Sequence, residues 1–185
     1  MTRKAKIIAT LGNSTEGILE EIVAKGADAV LIDTYYGSKE ECIDRINKIK
    51  ELRDKLDKNT AIIYDLDHIY AESKYKLIKI EEENVYFACQ NDVDFVACPF
   101  VSNLDEIRKV KDILQVQGKK DIGLIVKIDC KEAYENIDEI IQFADSIMIN
   151  RDELGMELPY ENLPSIQKEI IRKANDATVE VILTT

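Results

Sequence analysis

Short apolar runs recur along this chain, each separated from the next by a polar loop and an amphipathic helical stretch. No other feature limits the fold so tightly. The runs fall at residues 6–10, 28–33, 61–65, 93–98, 124–128, 146–149 and 179–184. Helical periodicity fills the intervals. Ser14 or Thr15 can cap a helix running to about residue 25, with Ile18, Leu19, Ile22 and Val23 on one face and Gly26 ending it. Residues 40–57 place Ile43, Ile46, Ile49, Leu52 and Leu56 at helical spacing, and further helices are expected over 81–90, 104–117, 136–143 and 163–174. Strands this short and this apolar are buried on both faces, as in a parallel sheet covered by helices. The expectation is an α/β fold of about seven parallel strands. An open doubly wound sheet and a (β/α) barrel share this periodicity, and spacing alone does not choose between them.

The 185 residues, 45% of them hydrophobic, suit one domain over residues 1–185 with a substantial core. The net charge of −11 and the lack of a basic stripe argue against nucleic-acid binding, which replaces phosphate counterions with Lys and Arg. The opening MTRKAKIIATLG lacks an apolar stretch of signal-peptide length, and no run nears the roughly 18 residues of a membrane span. A cytoplasmic protein without membrane contact is expected. Cys42, Cys89, Cys98 and Cys130 show no paired short spacing, so they read as reduced, buried thiols. The loop Thr10-Leu11-Gly12-Asn13 has a single glycine, which leaves a dinucleotide-binding reading weak.

Residues 144–159, ADSIMINRDELGMELP, carry the densest chemistry. They read as a buried strand (Ile147, Met148, Ile149), a tight polar turn with Arg151, Asp152, Glu153 and Gly155, and a helix opened by Pro159. This stretch resembles the A-D-G-I-M-V-A-R-G-D-L-G-V-E-I-P signature of pyruvate kinase. The likeness extends along the chain. RKAKIIATLGNS (3–14), GADAVLIDTYYG (26–37), AIIYD (61–65), VDFVACPFVSNLDEI (93–107) and IVKIDCKEAYENIDEI (125–140) each resemble a family segment in order, and residues 162–185 resemble the last helix and strand before the family's barrel closes. The resemblance implies a TIM-type (β/α) barrel of the phosphoenolpyruvate/pyruvate superfamily, with its site at the C-terminal ends of the strands. It also implies a glycolytic transferase. Three family parts have no counterpart in these residues: the lid domain after strand three, replaced by a short connection over 66–79, the eighth strand, and the C-terminal domain. Seven strands leave two open edges. Those edges are expected to pair with each other, with a second copy in a homo-oligomer, or with a separate chain.

Carried over residue by residue, the resemblance implies that Lys127 is the catalytic cation, stabilising developing enolate or phosphoryl charge. Asp129 and Glu153 stand where the family has its magnesium-binding glutamate and aspartate, with side-chain lengths exchanged. Two hard oxygen ligands can serve Mg²⁺ or Mn²⁺, which keep several waters. Thr185 matches a family threonine near bound pyruvate, and Asp65 an aspartate that ligates potassium. Arg151, Asp152 and Gly155 fall on the substrate-binding turn. Other positions depart from the family. Leu31 stands in place of an arginine that holds the transferred phosphate. Asp33 and Tyr35 replace potassium ligands, which argues against K⁺. Tyr36 replaces a nucleotide-contacting histidine, Leu66, Asp67 and His68 replace T-K-G, and Glu72 reverses a phosphate-binding charge. Asn13, Pro99, Ser102 and Asp152 also depart. His68 is the single histidine and could join Asp65, Asp67, Asp129 and Glu153 around an altered metal site.

Three functions compete. The first is a pseudoenzyme that keeps the barrel but not phosphoryl transfer, and binds a partner or a small ligand. The second is a metal-dependent enzyme acting on pyruvate, oxaloacetate or phosphoenolpyruvate through Lys127, Asp129 and Glu153. The third is residual pyruvate kinase activity completed by another chain, which Leu31 opposes, because a partner cannot restore the missing cation.

Overall fold

The computed structural model describes residues 5–12, 14–34, 38–66, 68–70, 77–80, 82–99 and 104–184. Seven strands form one sheet, every neighbouring pair parallel: β1 (Ile8–Leu11), β2 (Ala29–Ile32), β3 (Ala61–Asp65), β6 (Phe95–Cys98), β7 (Gly123–Ile128), β8 (Ser146–Ile149) and β9 (Glu180–Leu183). The remaining two, β4 (His68–Tyr70) and β5 (Leu77–Ile80), pair antiparallel as a separate hairpin. The helices are α1 (Leu19–Ala24), α2 (Lys39–Leu56), α3 (Glu82–Gln90), α4 (Leu104–Val116), α5 (Lys131–Glu135), α6 (Ile137–Ile140), α7 (Arg151–Glu157) and α8 (Leu163–Asp176).

Strand order decides the architecture. Each strand of the large sheet lies beside the next one in the sequence, with no reversal. Right-handed crossovers then put every helix on the same face. The core agrees. One apolar cluster joins Val23, Ile46, Ile107 and Ile170 of the helices to Val30, Ile62, Val96, Leu124 and Ile147 of the strands. The other contains only alternate strand residues: Ala29, Leu31, Ile63, Ala97, Ile125 and Met148, flanked by Ile8, Ala61, Phe95 and Ile182. Side chains alternate across a strand, so the second cluster is the inner face of a curled half-barrel. A doubly wound sheet would carry helices there. The family's barrel architecture is therefore present, and among the described residues β1 and β9 do not pair with each other.

Local sequence explains the helix ends. Ser38 caps α2 in a reciprocal box: its Oγ accepts from the Glu41 amide at 3.3 Å, and Glu41 Oε2 accepts from the Ser38 amide at 2.7 Å. Gly26 takes φ +87° just past α1, a left-handed backbone that favours glycine. Three expectations need correction. The helix expected to begin at residue 14 or 15 is a 3-10 turn (Glu16–Ile18) followed by the short α1. The helix expected over 136–143 is only the short α6, and a further short helix, α5, precedes it. The turn expected before Pro159 is helix α7, and Pro159 instead precedes a 3-10 turn at Tyr160–Asn162. With Asp152 and Glu153 in its first turn, α7 has acids near the positive end of its dipole.

A carboxylate leads every second strand. Asp28, Asp94 and Asp145 sit immediately before β2, β6 and β8. Each accepts the backbone N–H of the residue beside it on the preceding strand: Ile7 at 2.8 Å, Ile62 at 2.7 Å and Leu124 at 2.7 Å. Each aspartate amide in turn donates to the carbonyl of that same residue. The half-barrel is thus three copies of one two-stranded unit, β1–β2, β3–β6 and β7–β8, followed by β9.

Candidate active site at the strand C-termini

Lys127 near the end of β7 and Asp65 at the end of β3 share the inner-face parity of Ile125 and Ile63. They reach each other across β6, whose inner residue in the Asp65 row is the small Ala97. Lys127 Nζ donates to Asp65 Oδ2 at 2.6 Å, and the two side chains are only 13% and 16% exposed. Thr34 Oγ1 donates to the Asp65 carbonyl at 3.1 Å and ties β2's exit loop to the same point. Burial penalises the Lys127 ammonium. The Asp65 carboxylate beside it outweighs that penalty, with Asp129 and Glu153 assisting, and the lysine is held above its ordinary value. Lys127 is therefore a fixed cation rather than a proton acceptor at neutral pH.

Asp129 follows β7 and is buried. Glu153 lies in the first turn of α7, half-buried. Burial pushes its carboxyl up, Lys127 opposes that, and Asp152 adds to it. Arg151 and Asp152 are exposed on the helix surface. Gly155 faces away from open space, since a Cβ there would meet Leu163 Cδ1 at 3.1 Å and Tyr160 Cδ2 at 3.3 Å. Its glycine serves the packing of α7 on the following turn. Leu31 is buried in the inner apolar cluster with Ile63 and Met148, so no cation projects from that row of β2. The structure thus brings Lys127, Asp65, Asp129 and Glu153 within electrostatic reach of one another. Thr185, Asn13, Tyr35, Tyr36, Asp67, Glu72 and Ser102 lie outside the described residues, and only the backbone of His68 is described.

Among the described residues no three His, Cys, Asp or Glu side chains come together closely enough to enclose a metal. The donor set that remains, Asp129 and Glu153, is hard and anionic. It fits an ion such as Mg²⁺ that keeps much of its water and takes one or two carboxylates. It does not fit an all-protein cage. Asp65 is engaged by Lys127. Sequence reasoning assigned Lys127 to catalysis and Asp65 to potassium, and so missed their pairing. The signal was available: both residues fall on the inner parity of strands separated by a single neighbour.

The four cysteines are free and buried, and burial pushes the Cys98 and Cys130 thiols up, Cys130 to about 12. Cys98 and Cys130 therefore stay protonated at neutral pH. A cavity of about 810 Å³ opens at the other end of the strands, between Lys6 and Ile8 on one side and Glu180 and Ile182 on the other, with Ala61 and Phe95 on its floor. It does not touch the charged cluster.

A family model described as pyruvate kinase, barrel domain, matches residues 71–185. The pyruvate kinase of Clostridium perfringens is 42% identical over 105 residues, 57% of this chain and 22% of that protein. That of Methanocaldococcus jannaschii is 41% identical over 93 residues, 50% of this chain and 21% of that protein. That of Thermococcus litoralis aligns with the whole of this chain at 24% identity over 276 residues, 58% of that protein. The chain thus spans between about a fifth and three fifths of these relatives, and the longest alignment includes stretches of the relative without a counterpart here.

Proposed function

The chain belongs to the pyruvate kinase family through its barrel domain, and from that premise we propose that it has kept the scaffold and given up phosphoryl transfer, acting as a binding protein. One observation carries this reading: at the strand ends Lys127 is ion-paired with Asp65 at 2.6 Å, and the negative charges of Asp129 and Glu153 also act on it. Phosphoryl transfer is catalysed almost wholly by positioned cations around the phosphate. Here the ammonium is already paired with a largely buried carboxylate, two further acids add negative potential at it, and the inner row of β2 offers Leu31. Each missing charge-assisted contact removes about 3 kcal/mol of transition-state stabilisation, or roughly two orders of magnitude in rate. Incubation with phosphoenolpyruvate, ADP, Mg²⁺ and K⁺ is expected to yield no pyruvate above the protein-free rate. Turnover abolished by Lys127→Met would overturn the proposal.

A second reading is favoured by Asp129 and Glu153. A divalent ion held there would polarise the carbonyl of a 2-oxo acid, while Lys127 supplies a fixed positive charge beside it. Under this reading pyruvate or oxaloacetate is the ligand, and Mg²⁺ or Mn²⁺ the ion. Calorimetric titration of Mn²⁺ with oxalate separates the two. Saturable heat that vanishes in Asp129→Ala supports the metal-dependent reading, and absence of heat leaves the scaffold reading alone.

A further inference from the structure

We propose that Glu157 is a positioning residue: its bond to the Lys131 amide locks α7 against the turn that follows β7, and so fixes how Glu153 stands relative to Asp129. The inference rests on the metal-dependent reading, because it concerns the two carboxylates offered there to a divalent ion.

Asp129 and Glu153 belong to different elements. Asp129 lies between the end of β7 and Cys130, the N-cap of α5, and Glu153 lies in the first turn of α7. The β7–β8 ladder pairs Ile128 with Ile149 and ends at the Asn150 amide, which donates to the Ile128 carbonyl at 3.1 Å. It stops short of both carboxylates. Their spacing is therefore set by contacts between α7 and the start of α5. Glu157, in the last turn of α7, supplies one: its Oε2 accepts the Lys131 backbone N–H at 2.8 Å.

The lengths on the two sides match. Glu153 and Glu157 are four residues apart on α7, which is about 6 Å of rise on one face. Cys130 is extended, at φ −144° and ψ 166°, so Asp129 and Lys131 are about 6–7 Å apart along the chain. Both acids also lie on the same side of the anchor. The charges of Asp129 and Glu153 act together on Lys127, whereas that of Glu157 acts, beside Asp129, on the Cys130 thiol. Anchoring Glu157 at Lys131 thus brings Glu153 level with Asp129.

The anchor is firm at each end. Lys131 is the first residue of α5, so its amide finds no carbonyl within the helix, and a carboxylate gives it a charge-assisted acceptor. The Ala133 amide is met by Cys130 Sγ at 3.2 Å. Behind the turn, Tyr134 donates to Glu169 Oε2 of α8 at 2.7 Å. The segment carrying Asp129 is thereby held from α7 and from α8. The rotation of α7 is fixed in turn by buried Leu154 and by Gly155 against Leu163 and Tyr160. Residues that orient metal ligands without touching the metal contribute to its affinity through that geometry.

Mn²⁺ alone is the probe, with the free ion followed by its electron paramagnetic resonance signal. The Kd is expected to rise about tenfold in Glu157→Ala. Glu157→Gln keeps a carbonyl oxygen at the same reach and loses the charge. It is expected to stay within about twofold of the unsubstituted chain, which separates position from charge. Lys131→Pro removes the donor instead of the acceptor. Proline suits both the first position of a helix and the extended residue before it, so the fold is kept. Relative to Lys131→Ala, it is expected to weaken Mn²⁺ about tenfold, and adding Glu157→Ala to it should change nothing further. Urea unfolding of the metal-free proteins reports any general loss of structure. A less stable Glu157→Ala with unchanged Mn²⁺ affinity would assign the residue to stability alone and overturn the proposal. A glutamine variant as weak as the alanine one would overturn it too, because Glu157 would then act by its charge. In both cases Mn²⁺ binding that is lost in Asp129→Ala leaves the metal-dependent reading standing. No saturable Mn²⁺ binding by the unsubstituted chain would overturn the proposal and that reading together.

Discussion

Replacing Lys127 by methionine should be among the most damaging single changes at the site, and the damage should be reversible by a second change. The structure supplies the magnitude. The Lys127–Asp65 contact is 2.6 Å long and both side chains are more than four fifths buried, so it behaves as an interior pair rather than a surface one. Removing one partner of such a pair leaves a desolvated charge and costs roughly 3–5 kcal/mol, a large part of the ~5–15 kcal/mol that holds a domain together. Removing both charges, in Lys127→Met with Asp65→Leu, eliminates the desolvation cost as well and should return stability to within about 1 kcal/mol of the starting protein. Urea unfolding of the four proteins closes the cycle, with a coupling energy above about 2 kcal/mol expected. The pH dependence follows from the direction of the lysine shift. A raised folded value means the pair's contribution is complete below the unfolded lysine value near 10.4 and fades as pH climbs through the folded one. The single variants should therefore approach the parent only in strong alkali. A loss below about 1 kcal/mol in Lys127→Met at neutral pH would refute the reasoning, since it would mean that water already screens the pair.

Other outcomes follow from single contacts. Glu153→Gln should raise the melting temperature at pH 7 and not at pH 3. Burial raises the Glu153 carboxyl, so its ionised form opposes folding, and that cost appears as pH rises through the unfolded and then the folded value. Asp145→Ala should cost about 1–3 kcal/mol in urea unfolding, because the Leu124 amide loses its acceptor inside the sheet. Ser38→Ala should cost about 1 kcal/mol by removing one half of the α2 capping box. Gly123→Ala places a Cβ against the Phe95 ring, closer than van der Waals contact allows; that ring lines the open cavity and can turn aside, so a loss of about 1–3 kcal/mol is expected, with altered exchange at the β1 and β9 edges.

How far the sequence could be read depended on how each residue is constrained. Strands such as residues 61–65 were legible because almost every position is apolar, and a buried parallel strand permits little else. The long α2 was legible within a residue at each end, because Ile43, Ile46, Ile49, Leu52 and Leu56 keep helical spacing through it. The winding was not legible from spacing. It depends on which strands become neighbours, and neighbouring strands leave no periodic trace; the family resemblance supplied the answer that the strand order then gave independently. The hairpin β4–β5 was missed because its strands are short and lie in a connection with no strong apolar alternation. Helix α7 was read as a turn because its seven residues, Arg-Asp-Glu-Leu-Gly-Met-Glu, include a glycine and bury only Leu154.

The leading aspartates show where a sequence signal existed and lacked a rule to interpret it. Asp28 and Asp94 were counted as strand residues, since DAVLI and DFVAC read as continuous runs. An ionised side chain inside a two-sided buried strand is costly, and that cost was the warning that the strand begins one residue later. Placed just outside, each carboxylate meets the outermost amide of its neighbour and stops the ladder from fraying. Asp145 does the same before Ser-Ile-Met-Ile. Leucine at position 31 satisfies the inner layer of a half-barrel as well as any residue there. Packing and charge therefore separate by row along the inward-facing positions: the rows of Ile63 and Ile125 are held by apolar contact, while at the strand tips Lys127 and Asp65 are held by their ion pair.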